Sequence, residues 1–299
     1  MSRTAKALLI AGVLFVLGIV IGGVGFLSGG ADALEENYGV NPVANSRSFS
    51  EPVRKLEIST VSDDVMLMPA EDGLCRVDWK DTRFGYYEVS LENGTLKLRY
   101  RDTEQKICFS FSESEPCAVA VYLPERDYES LLLTTTSGNF ASSGFSFDET
   151  KLTTTSGEVG LENGFFGEAK INTTSGDVVL DCYDASTTEI NTTSGSVVLH
   201  DYNAAATKIV TTSGAVGLGN GFFGEAKINT TSGDVVLDCY DASATEINTT
   251  SGNVTGTVAA PQTYHVHTVS GDVNCPEDAP GGTFEVHTTS GDVKLSAAE

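Results

Sequence analysis

The sequence predicts an all-β protein, a parallel β-solenoid of 19-residue turns that follows one N-terminal transmembrane helix. Three observations support this prediction. The dipeptide Ser-Gly recurs nine times at a nearly constant spacing, apolar side chains alternate with polar ones on both sides of it, and 21 uncharged residues form one stretch near the N-terminus. Alternation with period two indicates half-buried strands, and a fixed repeat of this length indicates stacked turns.

The uncharged stretch is residues 7–27, with Arg3 and Lys6 before it and the first acidic residues after it. About 20 apolar residues span a bilayer as a helix, and basic residues stay on the cytoplasmic side. We therefore expect residues 1–6 to be a cytoplasmic tail of a single-pass cell-membrane protein. The alternative is a cleaved signal peptide, because Ala31-Asp32-Ala33 resembles a cleavage site. Both interpretations make the bulk of the chain extracytoplasmic.

The internal repeat occupies residues 131–299, which we predict to be a regular β-solenoid. Its nine Ser-Gly pairs begin at Ser137, Ser156, Ser175, Ser194, Ser213, Ser232, Ser251, Ser270 and Ser290. Threonine stands two residues before every one of these serines, and an aliphatic residue stands four before it. We expect two strands to meet at each Ser-Gly corner, where glycine adopts backbone angles that strain other residues.

Equivalent residues of successive turns should lie above one another, about 4.8 Å apart along the axis. Residues 154–197 and 211–254 match at 40 of 44 positions, so three turns were copied as a block. Residues 53–130 are predicted to be an irregular β entry and cap region, which contains a hairpin at Asn93-Gly94. Residues 28–52 are predicted to be a linker.

The motif Thr-Thr-Ser-Gly-Asp-Val occurs at 173–178, 230–235 and 288–293, and the segment 120–138 leads into the repeats. With these motifs the chain resembles the bacterial putative-adhesin family of β-strand repeats, a domain of unknown function. The resemblance implies a solenoid on a cell-envelope protein, often behind a membrane anchor. It implies no catalytic residues.

Composition restricts the function. The 18 basic and 41 acidic residues give a net charge of −23, which argues against a nucleic-acid partner. No arginine follows Arg126, and most polar positions recur with the repeat, whereas an active site is usually unique. We predict a non-enzymatic adhesion or cell-envelope interaction module whose partner is a surface protein or glycan. The alternative is a metal-binding or carbohydrate-active envelope protein.

The candidate metal ligands are His265, His267, Glu285 and His287, which neighbouring turns should present as one patch. Three imidazoles and a carboxylate suit Zn²⁺ or Cu²⁺. The alternative is a polar ladder on a solvated face, and the one-residue insertion before Val286 could break the register. The aspartates that follow Ser-Gly could bind Ca²⁺ or form the corners by bonding to nearby backbone. No other cofactor is predicted.

Overall fold

The computed structural model describes residues 43–82, 85–103, 118–259 and 261–298. These residues form one sheet of 21 strands. The strands are β1 Val43–Phe49, β2 Lys55–Ser59, β3 Asp64–Pro69, β4 Cys75–Asp81, β5 Gly85–Glu92, β6 Thr95–Asp102, β7 Ala118–Leu123, β8 Asp127–Thr134, β9 Phe140–Ser143, β10 Ser146–Thr153, β11 Val159–Asn172, β12 Val178–Asn191, β13 Val197–His200, β14 Asn203–Val210, β15 Val216–Asn229, β16 Val235–Asn248, β17 Val254–Val258, β18 Gln262–Thr268, β19 Val273–Asn274, β20 Gly282–Thr288 and β21 Val293–Ala297.

The predicted fold class was wrong in its helical part. Every regular element among the described residues is a β-strand, and none of those residues forms a helix suited to crossing a membrane. Residues 7–27, where the helix was predicted, lie outside the described residues. The fold is therefore all-β, a parallel solenoid with turns of about 19 residues.

The predicted stacking of the repeats is confirmed. Ile171 pairs with Ile190 and Ile190 with Ile209 in parallel ladders, so residues 19 apart lie in adjacent layers. The columns on both sides of the Ser-Gly corner are fully buried in the inner layers, as the zero exposure of Ile190 and Val197 shows. One continuous aliphatic interior results, because no single turn could bury its apolar face alone.

The Ser-Gly glycines are required for a different reason from the one the sequence suggested. None of them has a positive φ. A Cβ added to Gly195 would instead lie 2.0 Å from the carbonyl oxygen of Gly176 in the layer before, and the same contact recurs along the column. Glycine is therefore needed because the backbones of neighbouring layers approach too closely for any side chain.

The threonine two residues before each serine closes the same corner. The side chain of Thr192 is buried, and its Oγ1 accepts a hydrogen bond of 3.0 Å from the backbone N–H of Gly195. This bond recurs at Thr135, Thr154, Thr173, Thr211, Thr230, Thr249 and Thr288. The threonine column is thus explained by a buried donor that needs an acceptor.

We expect Thr192→Val to lower the free energy of unfolding by about 1–3 kcal/mol, because it leaves the Gly195 N–H buried without its acceptor. Thr193→Val, at the adjacent exposed position, should change it little. Urea unfolding monitored by circular dichroism measures both, and Thr192→Ser should restore most of the loss. Equal effects of the two valine variants would contradict this role for the buried hydroxyl.

In much of the solenoid a second corner lies six residues after the corner glycine. In six successive layers the residue there has a positive φ, and these residues are Gly144, Asn163, Cys182, Asp201, Asn220 and Cys239. Glycine, asparagine and aspartate tolerate this left-handed conformation, whereas cysteine adopts it less often. The alternation of inward and outward side chains is interrupted at this point in each of these six layers.

The interior beside the second corner is filled by one aromatic ring or two from each layer. Where the first of two inward positions is Tyr202, the second is Ala204; in the next layer the same positions are Gly221 and Phe223. The rings of Tyr202 and Phe223 lie 5.9 Å apart between centroids. In both layers a large residue in one column accompanies a small residue in the other column, which keeps the interior close-packed.

The order of layers departs from the order of the sequence at both ends. At the C-terminal end β20 pairs with β16 and with β18, so the last turn lies between its two predecessors. Phe284 in β20 is fully buried, whereas Tyr264 in β18 is only partly buried. Inserting the more apolar turn buries both of its faces and leaves the weaker turn at the end.

The N-terminal end has the same arrangement. Strand β2 lies between β6 and β8, and β3 lies between β7 and β9. The antiparallel strands β5 and β4 then pair with β6 and β7, and β1 pairs with β4. The predicted hairpin at Asn93-Gly94 is present between β5 and β6, with positive φ at both turn residues.

Candidate functional site

The predicted histidine patch lies near the C-terminal end of the solenoid. The insertion before Val286 does not disturb the register, since His265 pairs with Glu285 and His267 with His287. The rings of His267 and His287 are nearly parallel, at 9°, with centroids 5.2 Å apart. The Nε2 of His287 is 2.8 Å from the Oε1 of Glu285. The structure therefore places all four residues on one solvent-facing patch.

A single ion would require the imidazole nitrogens to lie about 3.3 Å apart, the ligand spacing of a tetrahedral zinc site. The stacked rings of His267 and His287 would have to tilt toward each other to reach it. Metal binding by this patch stays a prediction. On the other side of β20 the patch continues into Glu246 and Asn248, which pair with Glu285 and His287.

A shallow groove leads along the same face toward the patch. It has a volume of about 830 Å³ and crosses seven stacked strands, from β10 to β20. At 4.8 Å per layer its length is about 29 Å. Small residues such as Ala169 and Ala226 supply its floor. Charged side chains supply its two sides: Glu149, Glu168 and Glu225 on one, and Lys151, Lys170, Glu189, Lys208, Lys227 and Glu246 on the other.

Ion pairs between layers order the second side of the groove. The carboxylate of Glu189 receives hydrogen bonds from Lys170 at 2.7 Å and Lys208 at 3.1 Å. These two ammonium groups lower the pKa of Glu189 to about 2. Lys227 and Glu246 form a further pair at 2.7 Å. The concave shape of this surface depends on the stacking of the layers and is not visible in the sequence.

We expect Glu189→Gln to destabilise the protein by less than about 1 kcal/mol at pH 7, because the pair is exposed and screened by solvent. The pKa of Glu189 is lower in the folded state than its ordinary value near 4.5, so its contribution is present above pH 4.5. The difference from wild type should vanish as the pH falls from 4.5 to 2. Denaturant unfolding across that range measures it.

The control is Glu168→Gln, at a groove carboxylate that forms no ion pair with any described residue. It should lower the stability at pH 7 less than Glu189→Gln does, because it breaks no ion pair. A pH-independent difference for Glu189→Gln would contradict the role given to the two lysines.

Another surface carries two exposed aromatic rings. Phe165 and Phe222 are 45% and 47% exposed and occupy equivalent positions three turns apart, about 14 Å along the axis. Between them, the amide of Asn203 donates to Asp184 at 2.8 Å and accepts from the Phe222 N–H at 3.0 Å. Exposed aromatic side chains flanked by polar groups are typical of interaction surfaces.

Sequence reasoning missed one cluster of metal-ligating side chains. In the described part of the chain, the group whose ligand atoms all lie within 4.8 Å of one another consists of Asp181, Cys182 and Asp201. The sequence did contain a signal for this cluster: His200 and Asp201 stand 19 residues after Asp181 and Cys182, at the equivalent positions of the next turn.

A family profile described as Toastrack DUF4097 matches residues 53–221 and, a second time, residues 220–299. The two matches together extend over the entry region and the whole repeat array. No match was found among curated proteins.

Several solved structures are similar to this chain. A putative lipid binding protein from Parabacteroides distasonis ATCC 8503 is 17% identical, with a TM-score of 0.50 over 85% of this chain and 96% of that one. A putative adhesin from Bacteroides fragilis NCTC 9343 is 12% identical, with a TM-score of 0.45 over 85% and 97% of the two chains. A putative adhesin from Parabacteroides merdae ATCC 43184 is 11% identical, with a TM-score of 0.47 over 87% and 97%. At 17% identity the first shows a common fold alone.

Proposed function

This chain belongs to the Toastrack DUF4097 family, and on that premise we propose that it is a non-enzymatic adhesion or cell-envelope interaction module. Its partner is a surface glycan or protein, and an extended segment of that partner lies in the charged groove. We also propose that the solenoid lies outside the cytoplasm, and the uncharged stretch at residues 7–27 with basic residues before it supports this location.

The observation that supports this proposal is the length and regularity of the groove. Its charged side chains recur layer by layer over about 29 Å, which suits an extended polymer better than a compact small molecule. Both sides consist of solvent-exposed groups on a rigid stack of strands. Such a surface provides electrostatic selectivity without a unique set of reacting groups.

The test is binding of the purified full-length chain to arrays of surface polysaccharides and envelope proteins. We expect Lys170→Glu to weaken binding about tenfold or more, because it reverses a charge on the side of the groove. Lys294→Glu is the matched control. Both lysines pair with a carboxylate and are about half exposed, at 49% and 52%, but Lys294 lies outside the groove.

Equal losses in the two variants would remove the groove from the proposal. A hydrolase screen on the same polysaccharides completes the test, since turnover of any of them would overturn the non-enzymatic assignment.

The proposed location is tested with a membrane-impermeant maleimide on intact cells, after permeabilising any outer membrane. The exposed thiol of Cys239 provides the reporter. We expect labelling before lysis in wild type and loss of the Cys239 adduct in Cys239→Ser. Labelling of Cys239 only after lysis would contradict an extracytoplasmic solenoid.

The alternative function, metal binding, has its own observation in the shared patch of His267, His287 and Glu285. The double variant His267→Ala, His287→Ala should lower the metal content of the purified protein if this patch binds an ion. An unchanged metal content would remove this alternative.

A further inference from the structure

The second corner brings together four ligating side chains of three chemical kinds from two adjacent layers. We call them the corner cluster: Asp181, Cys182, His200 and Asp201. The Nδ1 of His200 lies 3.0 Å from the Oδ1 of Asp181 and 3.4 Å from the Oδ2 of Asp201. One ligand atom each of Asp181, Cys182 and Asp201 lies within 4.8 Å of the other two. The two carboxylates therefore lie next to both the imidazole and the thiol.

The left-handed backbone accounts for this convergence. Residues 181 and 182 are neighbours in β12, and in an extended strand their side chains would point to opposite faces. Cys182 has a φ of 51° and Asp201 a φ of 47°, which turns the chain at both positions. Both side chains then stay outside with the half-buried Asp181 and His200.

The electrostatics of the corner cluster favour a cation. Among the described residues, His200 is the one ion-pair partner of Asp181 and of Asp201. Glu162 in the layer before pairs with Asp181 in register and adds a third carboxylate nearby. The local charge is thus negative and is compensated by one imidazole at most.

We propose that the corner cluster binds Zn²⁺. Thiolate, imidazole and carboxylate are the three ligand types that zinc takes in proteins, and four of them make a tetrahedral set. A thiolate among the ligands disfavours Ca²⁺ and Mg²⁺, which require oxygen donors. Ligand atoms of such a site lie about 3.3–3.8 Å apart. The ligand atoms of Asp181, Cys182 and Asp201, which lie within 4.8 Å of one another, would therefore move closer by on the order of 1 Å.

The cluster combines fixed and adjustable ligands. The side chains of Asp181 and His200 are 21% and 17% exposed, and they are held by their contact. Cys182 is exposed and Asp201 is half exposed, so solvent rather than protein surrounds much of both side chains. Asn220 contacts the Nε2 of His200 at 3.3 Å. When Nδ1 binds the ion, the ring proton resides on Nε2. The Nε2–H then donates a hydrogen bond to the side-chain oxygen of Asn220 once its amide is flipped.

The chain contains its own control for this site. Three turns later, Asp238 and Cys239 repeat Asp181 and Cys182, and Cys239 has nearly the same backbone conformation, with a φ of 48°. In the layer that follows, Thr257 stands where His200 stands in the cluster, and its Oγ1 accepts a hydrogen bond from the backbone N–H of Cys239. An Asp-Cys pair without the histidine layer should not bind zinc tightly.

The test uses the metal-free full-length protein, Co²⁺ as a spectroscopic probe and Zn²⁺ as competitor. We expect one Co²⁺ per chain with a sulfur-to-metal charge-transfer band, which Zn²⁺ abolishes. Cys182→Asn should remove the band, since asparagine keeps the left-handed backbone seen at Asn163 and Asn220. His200→Gln should weaken Zn²⁺ binding more than about tenfold. Cys239→Asn should change neither the band nor the affinity.

Three outcomes would overturn the proposal: no Co²⁺ or Zn²⁺ binding by wild type, a band that survives Cys182→Asn, or an equal loss in Cys239→Asn. Thermal unfolding monitored by circular dichroism establishes that each variant is folded. His267→Ala separates the corner cluster from the histidine patch, because an ion bound at the patch gives no sulfur band.

Discussion

Gly195→Ala is expected to destabilise the solenoid by about 3 kcal/mol or more, although it adds a single methyl group. The added Cβ would lie 2.0 Å from the carbonyl oxygen and 2.7 Å from the carbonyl carbon of Gly176. Backbone atoms cannot move aside as a flexible side chain can. The two layers must separate, which breaks the ladder on both sides of the corner.

Urea unfolding gives the loss in stability, and amide hydrogen exchange shows whether protection is lost in the layers next to Gly195. Stacked repeats can unfold in parts, so the second measurement is needed to locate the effect. The matched control is Gly217→Ala in β15. Its Cβ would meet its nearest atoms at 3.9 and 4.0 Å, an ordinary contact, and we expect a change of less than about 1 kcal/mol. Similar losses in both variants would contradict close approach as the reason for the glycine column.

Phe223→Ala should lower the free energy of unfolding by about 3–5 kcal/mol. The ring is fully buried and lies between Tyr202 and Tyr240, with centroid distances of 5.9 and 5.1 Å. Gly221 in the same layer has no side chain to fill the space. The backbone of Gly221 already lies against that of Tyr202, since a Cβ on Gly221 would be 2.0 Å from the carbonyl oxygen of Tyr202. Neither residue can therefore move in to close the cavity that the missing ring leaves.

Phe222→Ala is the control because it removes the same atoms from the adjacent residue, which is 47% exposed. We expect it to change the stability by less than about 1 kcal/mol, as measured by the same urea unfolding. A cost for Phe222→Ala as large as that for Phe223→Ala would mean that the inward and outward columns are misassigned.

The regular part of the fold can be predicted from the sequence because a repeat of constant length requires equivalent residues to stack. A column of aliphatic residues every 19 positions, such as Ile171, Ile190 and Ile209, can be buried only if turns lie one above another. The pairing of His267 with His287 follows from the same argument, since both occupy the same column. Local pattern was sufficient wherever one turn resembles the next.

The exceptions are features that depend on competition between distant segments. The last turn, with β20, lies between β16 and β18 and leaves the turn before it at the end of the stack. Phe284 and Val286 gain more from burial on both faces than Tyr264 and Val266 do. The alternation of apolar and polar residues along a strand does not show which of two turns gains more from burial. The order of layers at each end was therefore decided by the packing of the whole chain.

The corner cluster shows the same division most directly. The stacking of Asp181 and His200 could be deduced from the repeat alone, because they share a column. The direction of the Cys182 side chain could not be deduced in this way, since neighbouring residues of a regular strand point to opposite faces and Cys182 would then point away from Asp181. Only the left-handed backbone at residues 182 and 201 turns the thiol and the second carboxylate to the same side as the imidazole. Column membership is thus a property of the sequence, whereas the direction of a side chain at a corner is set by the backbone conformation that the stacked layers impose.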